Sequence, residues 1–268
     1  MSKTALITGT SRAAGLGFAI ARLLAEQDYH VVLTARDLAR AESLAAQLPN
    51  ATALRLDLAD LATMTAAADW VAETFGYLDV LINNASDVVD FATLSALDVD
   101  LPAVRSALNI DVLGPWQLTQ LLLPSLKAAP AARIVNVSSV SALQISTGLD
   151  LGASLRAPAH SFAKHALNTL TGVLASALRG TPILVNAVDP GETATHPERG
   201  DEDTARPASE SARGVVWAAT LPAGAPTGGL FRDRELVLSL LPGTENTAGP
   251  DRDRSEPAAG KPLTRQDQ

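Results

Sequence analysis

The sequence predicts an α/β fold, a doubly wound parallel sheet of about seven strands with helices on both faces. Three observations carry this. Short runs rich in Leu and β-branched residues alternate with longer Ala/Leu-rich amphipathic segments. Most of the short runs are apolar on both faces, as strands covered on both sides should be. A glycine-containing turn joins the first such run to the first helical segment.

Strands are expected at 4–9, 30–35, 51–57, 78–84, 132–139, 182–189 and 230–238. Helical patterns fill 15–27, 38–48, 60–75, about 98–128, 159–179 and 207–219. Neither a repeat nor a linker interrupts 1–240, so this stretch reads as a single domain. Residues 142–158 form a long connection, and 191–210 are polar enough to make a lid over a site. From Gly243 the chain is rich in Gly, Pro and charge, and 243–268 is expected to be a disordered tail.

Composition narrows the function. The 268 residues carry a net charge of −8, which argues against a nucleic-acid partner. Cysteine is absent, which removes disulfides, thiol nucleophiles and thiolate metal sites. The apolar run beginning at Thr4 is too short for a signal peptide, and no run approaches a membrane span. A cytoplasmic protein with no membrane partner is the expectation.

The turn after the first strand reads Thr8-Gly9-Thr10-Ser11-Arg12-Ala13-Ala14-Gly15-Leu16-Gly17, and a helix then opens. Glycines let backbone approach a ligand closely, and the amides of a helix N-terminus favour an anion. A dinucleotide pyrophosphate suits that combination within a βαβ unit. An ordinary strand–helix turn is the plainer alternative.

At these residues the sequence resembles the short-chain dehydrogenase/reductase family, over roughly 1–240. Gly9, Gly15 and Gly17 match its TGxxxGxG loop if Ala13-Ala14 is a two-residue insertion. Asp57, next to Leu58, matches the acidic residue beside the adenine. Asn83-Asn84-Ala85-Ser86 is similar to the family's NNAG, with serine replacing glycine. Asn186 and Pro190-Gly191 resemble its VN…PG segment, and Thr195 falls where a threonine often lies near the carboxamide. Thr227-Gly228-Gly229-Leu230-Phe231-Arg232-Asp233 looks like the terminus of members described as carbonyl reductases. The resemblance implies a Rossmann-type fold and a nicotinamide cofactor.

Twenty residues past Gly15 stands Ala35, where an NAD site would place a carboxylate for the ribose diol. Arg36 follows, and Arg12 lies in the loop. Two guanidinium groups suit a 2′-phosphate, so NADP(H) is the expected cofactor. The alternative gives the diol to Asp37, which reads better as a helix N-cap.

The resemblance implies four catalytic positions, and this chain departs at two. Ser139 matches the serine that holds the carbonyl oxygen. Lys164 matches the lysine that holds the nicotinamide ribose. The tyrosine position is His160, and neither tyrosine of the chain, Tyr29 or Tyr77, can substitute. The helix asparagine is replaced by Asp111, with Asn109 on the opposite face. Free tyrosine titrates near 10 and histidine near 6.5, so His160 needs no cation to act at neutral pH. It is also shorter, and a misplacement of about 1 Å can cost roughly 100-fold in rate. His160 could serve as a general acid through a water, as a base for another reaction, or merely fill the tyrosine's space. Asp111 could orient His160 or be a buried structural acceptor. Ser139 could instead cap the strand end.

His160 and His165 are five apart, off the spacing used for metal pairs, so no metal is expected. Trp116, Leu143 and Gln144 could shape a pocket for a small-molecule substrate, although Trp116 reads more readily as core or subunit interface. The helical segments 98–128 and 159–179 resemble the pair through which family members form homodimers or homotetramers. Gly172, Ala175 and Ser176 would permit close helix approach. Three functions compete: NADPH-dependent reduction of a ketone or aldehyde (or the reverse), a non-redox acid/base reaction such as cyclisation, dehydration or isomerisation, and cofactor binding without turnover.

Overall fold

The computed structural model describes residues 2–87, 90–146 and 156–241. Its centre is an eight-stranded sheet in the order β10-β9-β6-β5-β4-β1-β2-β3. The strands are β1 Thr4–Ile7, β2 His30–Ala35, β3 Ala51–Arg55, β4 Val80–Asn83, β5 Arg133–Val137, β6 Leu184–Val188, β9 Gly229–Arg232 and β10 Glu235–Ser239. Two short strands, β7 Thr193–Ala194 and β8 Arg206–Pro207, pair apart from it. All main-sheet pairings are parallel except β9 with β10.

Successive strand residues point to opposite faces, and this builds two cores. Ala5 and Ile7 face one side, where α1 (Leu16–Ala25) and α8 (Ala208–Ala219) contribute Ile20, Leu24, Val215 and Val216. Leu6 faces the other, where α3 (Leu61–Thr74) and α5 (Gly114–Ala128) contribute Met64, Val71, Leu118 and Leu122. Asp79, buried, accepts the Thr4 amide at 2.8 Å and fixes the start of β1. Helix α2 (Leu38–Ala45) opens on Asp37, whose carboxylate accepts the Arg40 amide, as expected of an N-cap.

Three expectations need correction. The sheet has eight strands, because 230–238 is a hairpin and not one strand. Asp233 and Arg234 turn it with φ of 50° and 74°, a two-residue turn with both centres in the left-handed region. The helical pattern 98–128 is interrupted: α4 (Leu101–Leu108) runs into a π turn at Asn109–Leu113 before α5 begins. The polar 191–210 stretch has structure of its own, with β7, β8 and two 3₁₀ turns. The 142–158 connection contains α6 (Ser141–Ser146), and its 147–155 part lies outside the described residues, as does the tail 243–268.

Helix α7 (Pro158–Ala177) lies along β5 through a polar stripe on one face. Lys164 Nζ donates to the Val137 carbonyl at 2.8 Å. Asn168 accepts from Ser138 Oγ at 2.7 Å, and Thr171 Oγ1 accepts from Asn136 at 2.8 Å. Asn136 in turn accepts from Asn83 on β4. On the same helix Gly172 lies under the segment just after β10, where a Cβ would collide with the Leu240 carbonyl. The small residue therefore serves packing within the chain.

Gly172→Ala should lower stability by about 1–3 kcal/mol despite alanine's better helix propensity, because backbone must shift. Chemical denaturation checks this, and equal or higher stability would contradict it.

Candidate active site

The chain reverses its winding between β1 and β4, the place at the carboxyl ends of the strands where open α/β sheets bind their ligands. Gly9, with φ of +74°, lies so close to the end of β4 that a Cβ would stand 2.7 Å from Ala85 Cα. A Cβ on Gly17 would stand 2.7 Å from Asn84 Nδ2. Asn84 Nδ2 donates to the Thr8 carbonyl at 2.8 Å. The Asn84 and Ala85 amides both donate to Thr8 Oγ1 at 3.0 Å. Two strand ends are thereby locked together.

Ala13 and Ala14 lie in a turn closed by Gly15 N donating to Arg12 O at 3.0 Å. Helix α1 then starts at Leu16 with no side-chain cap and no acidic residue in its first turn. Its first amides are left for an external acceptor. Glycine approach, uncapped amides and partly buried Ser11 fit a dinucleotide pyrophosphate.

The other expected cofactor residues reach the same edge. Asp57 follows β3, where one of its oxygens accepts the Ala59 amide at 3.0 Å. Leu58 packs where a Gly114 Cβ would stand 2.6 Å away. Arg36 is exposed just past β2. The Pro190-Gly191 corner ends β6, with Gly191 at φ of +71°. Arg206 pins it through Nε and Nη2 to the Pro190 carbonyl, and reaches Asp233 at 2.7 Å. Thr195 stands beyond β7, its hydroxyl 2.9 Å from His196 Nδ1. Arg12 does not stand alone, since Nη2 donates to both oxygens of Glu198, at 2.7 and 3.0 Å.

Ser139 follows β5, and its Oγ accepts from Ser141 N at 3.2 Å and Ser141 Oγ at 2.9 Å. Its own proton stays available to a substrate. His160 occupies the first turn of α7, one turn before Lys164 on the stripe that faces β5. Its Nδ1 is buried without a hydrogen-bond partner among the described residues. Burial, with the Lys164 charge adding to it and Asp90 opposing, depresses the imidazole to about 4. His160 is thus neutral at physiological pH.

Asp111 belongs to the π turn and is fully buried; its Oδ1 lies 3.2 Å from Lys164 Nζ. Neither of its oxygens has a well-formed hydrogen bond among the described residues. Burial raises its carboxyl above the ordinary range; Lys164, Ser86 and the Asp87 amide oppose this in part. Lys164 donates to Val137 and stands in charge contact with Asp111, which leaves donor capacity for another acceptor.

Two residues of this region escaped the sequence analysis. Asp90, buried, accepts the Ala159 amide at 2.6 Å and the His160 amide at 3.4 Å, so it caps α7 from outside the helix. The helix itself starts from Ala157 at φ of +51°, with no side-chain cap. Glu198 is the other. A cap 69 residues away and an ion pair 186 residues apart leave no local pattern. Trp116 is 40% exposed, which excludes it from the core.

Breaking the buried pair by Asp111→Asn should cost about 3 kcal/mol, since an uncompensated charge remains inside. In denaturant titrations, adding Lys164→Met to Asp111→Asn should cost much less than the two single losses together. Strict additivity would contradict the pairing.

A family model, short chain dehydrogenase, matches residues 3–205. The chain is 34% identical over 232 residues to the short-chain dehydrogenase anuI of Penicillium roqueforti, covering 80% of this chain and 87% of that one. It is 32% identical over 199 residues to the ketoacyl reductase HetN of a Nostoc species, covering 70% and 63%. Salutaridine reductase from Papaver somniferum shares the fold, with a TM-score of 0.69 at 24% identity over 86% of this chain and 99% of that one. No helix among the described residues is long and apolar enough to cross a membrane. The glycine loop, the Asn84–Ala85 lock, Ser139 and Lys164 thus occur in a chain that belongs to the short-chain dehydrogenase/reductase family of oxidoreductases.

Proposed function

We propose that the protein reduces a ketone or aldehyde with NADPH, or runs the reverse oxidation, using His160 where relatives use tyrosine. The observation that carries this is the neutral imidazole on the first turn of α7, on the helix face that carries Lys164. A neutral histidine near a helix N-terminus can polarise a carbonyl as a hydrogen-bond donor, a role known elsewhere. Ser139 donates to the same oxygen from a hydroxyl already held by Ser141. Both donors act where negative charge develops. Lys164 directs its remaining donor capacity to the nicotinamide ribose. Asp111 holds the ammonium in place.

When bound, the nicotinamide supplies or accepts the hydride. Arg36 and Arg12 favour NADP(H). Asp37 caps α2 through the Arg40 amide at 3.4 Å and pairs with Arg40 Nε at 3.3 Å, contacts that it would give up to hold a ribose diol. The ketoacyl reductase among the relatives agrees with a carbonyl substrate. The stretch 193–207 reaches the loop between β1 and α1 through the Arg12–Glu198 pair. The exposed Leu113, Trp116 and Phe162 of the π turn, α5 and α7 support a homodimer or homotetramer through these helices.

A second reading rests on the same pair of groups. Burial pushes the Asp111 carboxyl up and the His160 imidazole down, the divergence expected of an acid and a base that exchange protons without net redox change. Incubation with 4-deuterated NADPH and a panel of carbonyl compounds separates the two. Deuterium in an alcohol product is expected. Substrate conversion with no deuterium in any product would favour the second reading.

His160 should stay neutral well below pH 6.5 and take up a proton only around pH 4. Because its folded pKa lies below the unfolded one, native stability should fall as pH drops between those values, by up to about 3 kcal/mol. Imidazole NMR titration checks the first statement and pH-dependent denaturation the second. A midpoint near 6.5 would contradict both. His160→Tyr should retain carbonyl reduction and move its pH dependence upward, and complete inactivity would count against the shared role.

A further inference from the structure

Arg12 is held at a fixed point of the phosphate loop, because its carbonyl closes the turn with Gly15 N. Its guanidinium grips Glu198 through two hydrogen bonds. Glu198 lies in the 3₁₀ turn Pro197–Arg199, between β7 and β8. This stretch is anchored at its base: β7 pairs with β8, and Thr193 Oγ1 meets Ser211 Oγ at 2.8 Å. Asp201 Oδ2 gathers the Thr195 and His196 amides at 2.9 and 2.8 Å. The Arg12 pair ties this stretch to the loop, and both partners are half-exposed, at 41% and 55%.

We propose that Glu198 competes with the 2′-phosphate of NADP(H) for Arg12, so that the phosphorylated cofactor, and not NAD(H), unlatches residues 193–207 from the phosphate loop. The inference rests on the reading above in which Arg12 holds that phosphate. A carboxylate and a phosphate monoester are alternative forked acceptors for one guanidinium. The phosphate carries up to two negative charges near neutral pH and displaces a single carboxylate. A pair this exposed holds weakly, which keeps the latch reversible. Arg12 keeps the Glu198 carboxyl below the usual carboxylate range, so the latch is charged at neutral pH. NAD(H) has no group to take the arginine and leaves the pair closed. Linkage then requires that whatever the latch subtracts from NADP(H) affinity, NADP(H) returns as opening of the stretch.

The test uses the full chain with adenosine 2′,5′-bisphosphate and 5′-AMP, which differ at the 2′ position alone. By calorimetry, Glu198→Gln should bind the bisphosphate about two- to fivefold more tightly and leave 5′-AMP unchanged. In hydrogen exchange of the wild type, the bisphosphate should accelerate exchange in 193–207 and 5′-AMP should not. In Glu198→Gln, exchange there should be fast from the start and respond to neither probe. An unchanged ratio of the two affinities in Glu198→Gln would overturn the proposal, as would slower wild-type exchange with the bisphosphate. Arg12→Ala separates the underlying reading. If it weakens bisphosphate binding while Glu198→Gln changes nothing, the competition is wrong and the phosphate contact stands. If Arg12→Ala leaves the bisphosphate affinity unaltered, both fall.

Discussion

The polar stripe between α7 and β5 is the constraint on which the rest depends. Lys164, Asn168 and Thr171 follow one another on a single helix face and meet Val137, Ser138 and Asn136 in turn. Each is buried, and an unpaired buried polar group costs about 1–3 kcal/mol, so slipping the helix by a turn would orphan several at once. Register fixed in this way places His160 one turn ahead of Lys164 and brings both to the strand end that carries Ser139. Asn83 extends the network to β4, whose next two residues lock the glycine loop. The candidate catalytic residues and the glycine loop are therefore positioned by one set of hydrogen bonds across the middle of the sheet.

Within that frame the two substitutions act together. A tyrosine near pKa 10 needs a cation beside it to give and take protons at neutral pH, whereas histidine does not. The cation remains in this chain, and Asp111 occupies it at 3.2 Å. Part of the lysine's field is thus spent on a buried carboxylate. What reaches His160, together with burial, keeps the imidazole neutral.

Much of this was legible in the sequence because it depends on local pattern. Seven apolar runs located the parallel strands and their neighbours, and Asp37 announced the start of α2. Thr8 to Gly17 marked the turn where backbone comes closest to the end of β4, since such an approach itself requires glycine. Other features carried no such signal. Arg234 takes a left-handed conformation that its side chain does not favour, so the hairpin read as one strand. The π turn at Asn109–Leu113 has no composition of its own. Asp90 and Glu198 act across the fold, on partners fixed by tertiary structure alone. The sequence also shows that Asp111 and His160 differ from the usual residues, but their environments, which decide what those residues can do, arise only when α7 meets the sheet.

A crystal of the protein soaked with NADP⁺ tests the central claim most directly. The account predicts the pyrophosphate on the amides at the start of α1, a ribose hydroxyl on Lys164 Nζ, and the nicotinamide facing Ser139 and His160. A dinucleotide bound elsewhere, or one whose nicotinamide lies out of reach of His160, would contradict it.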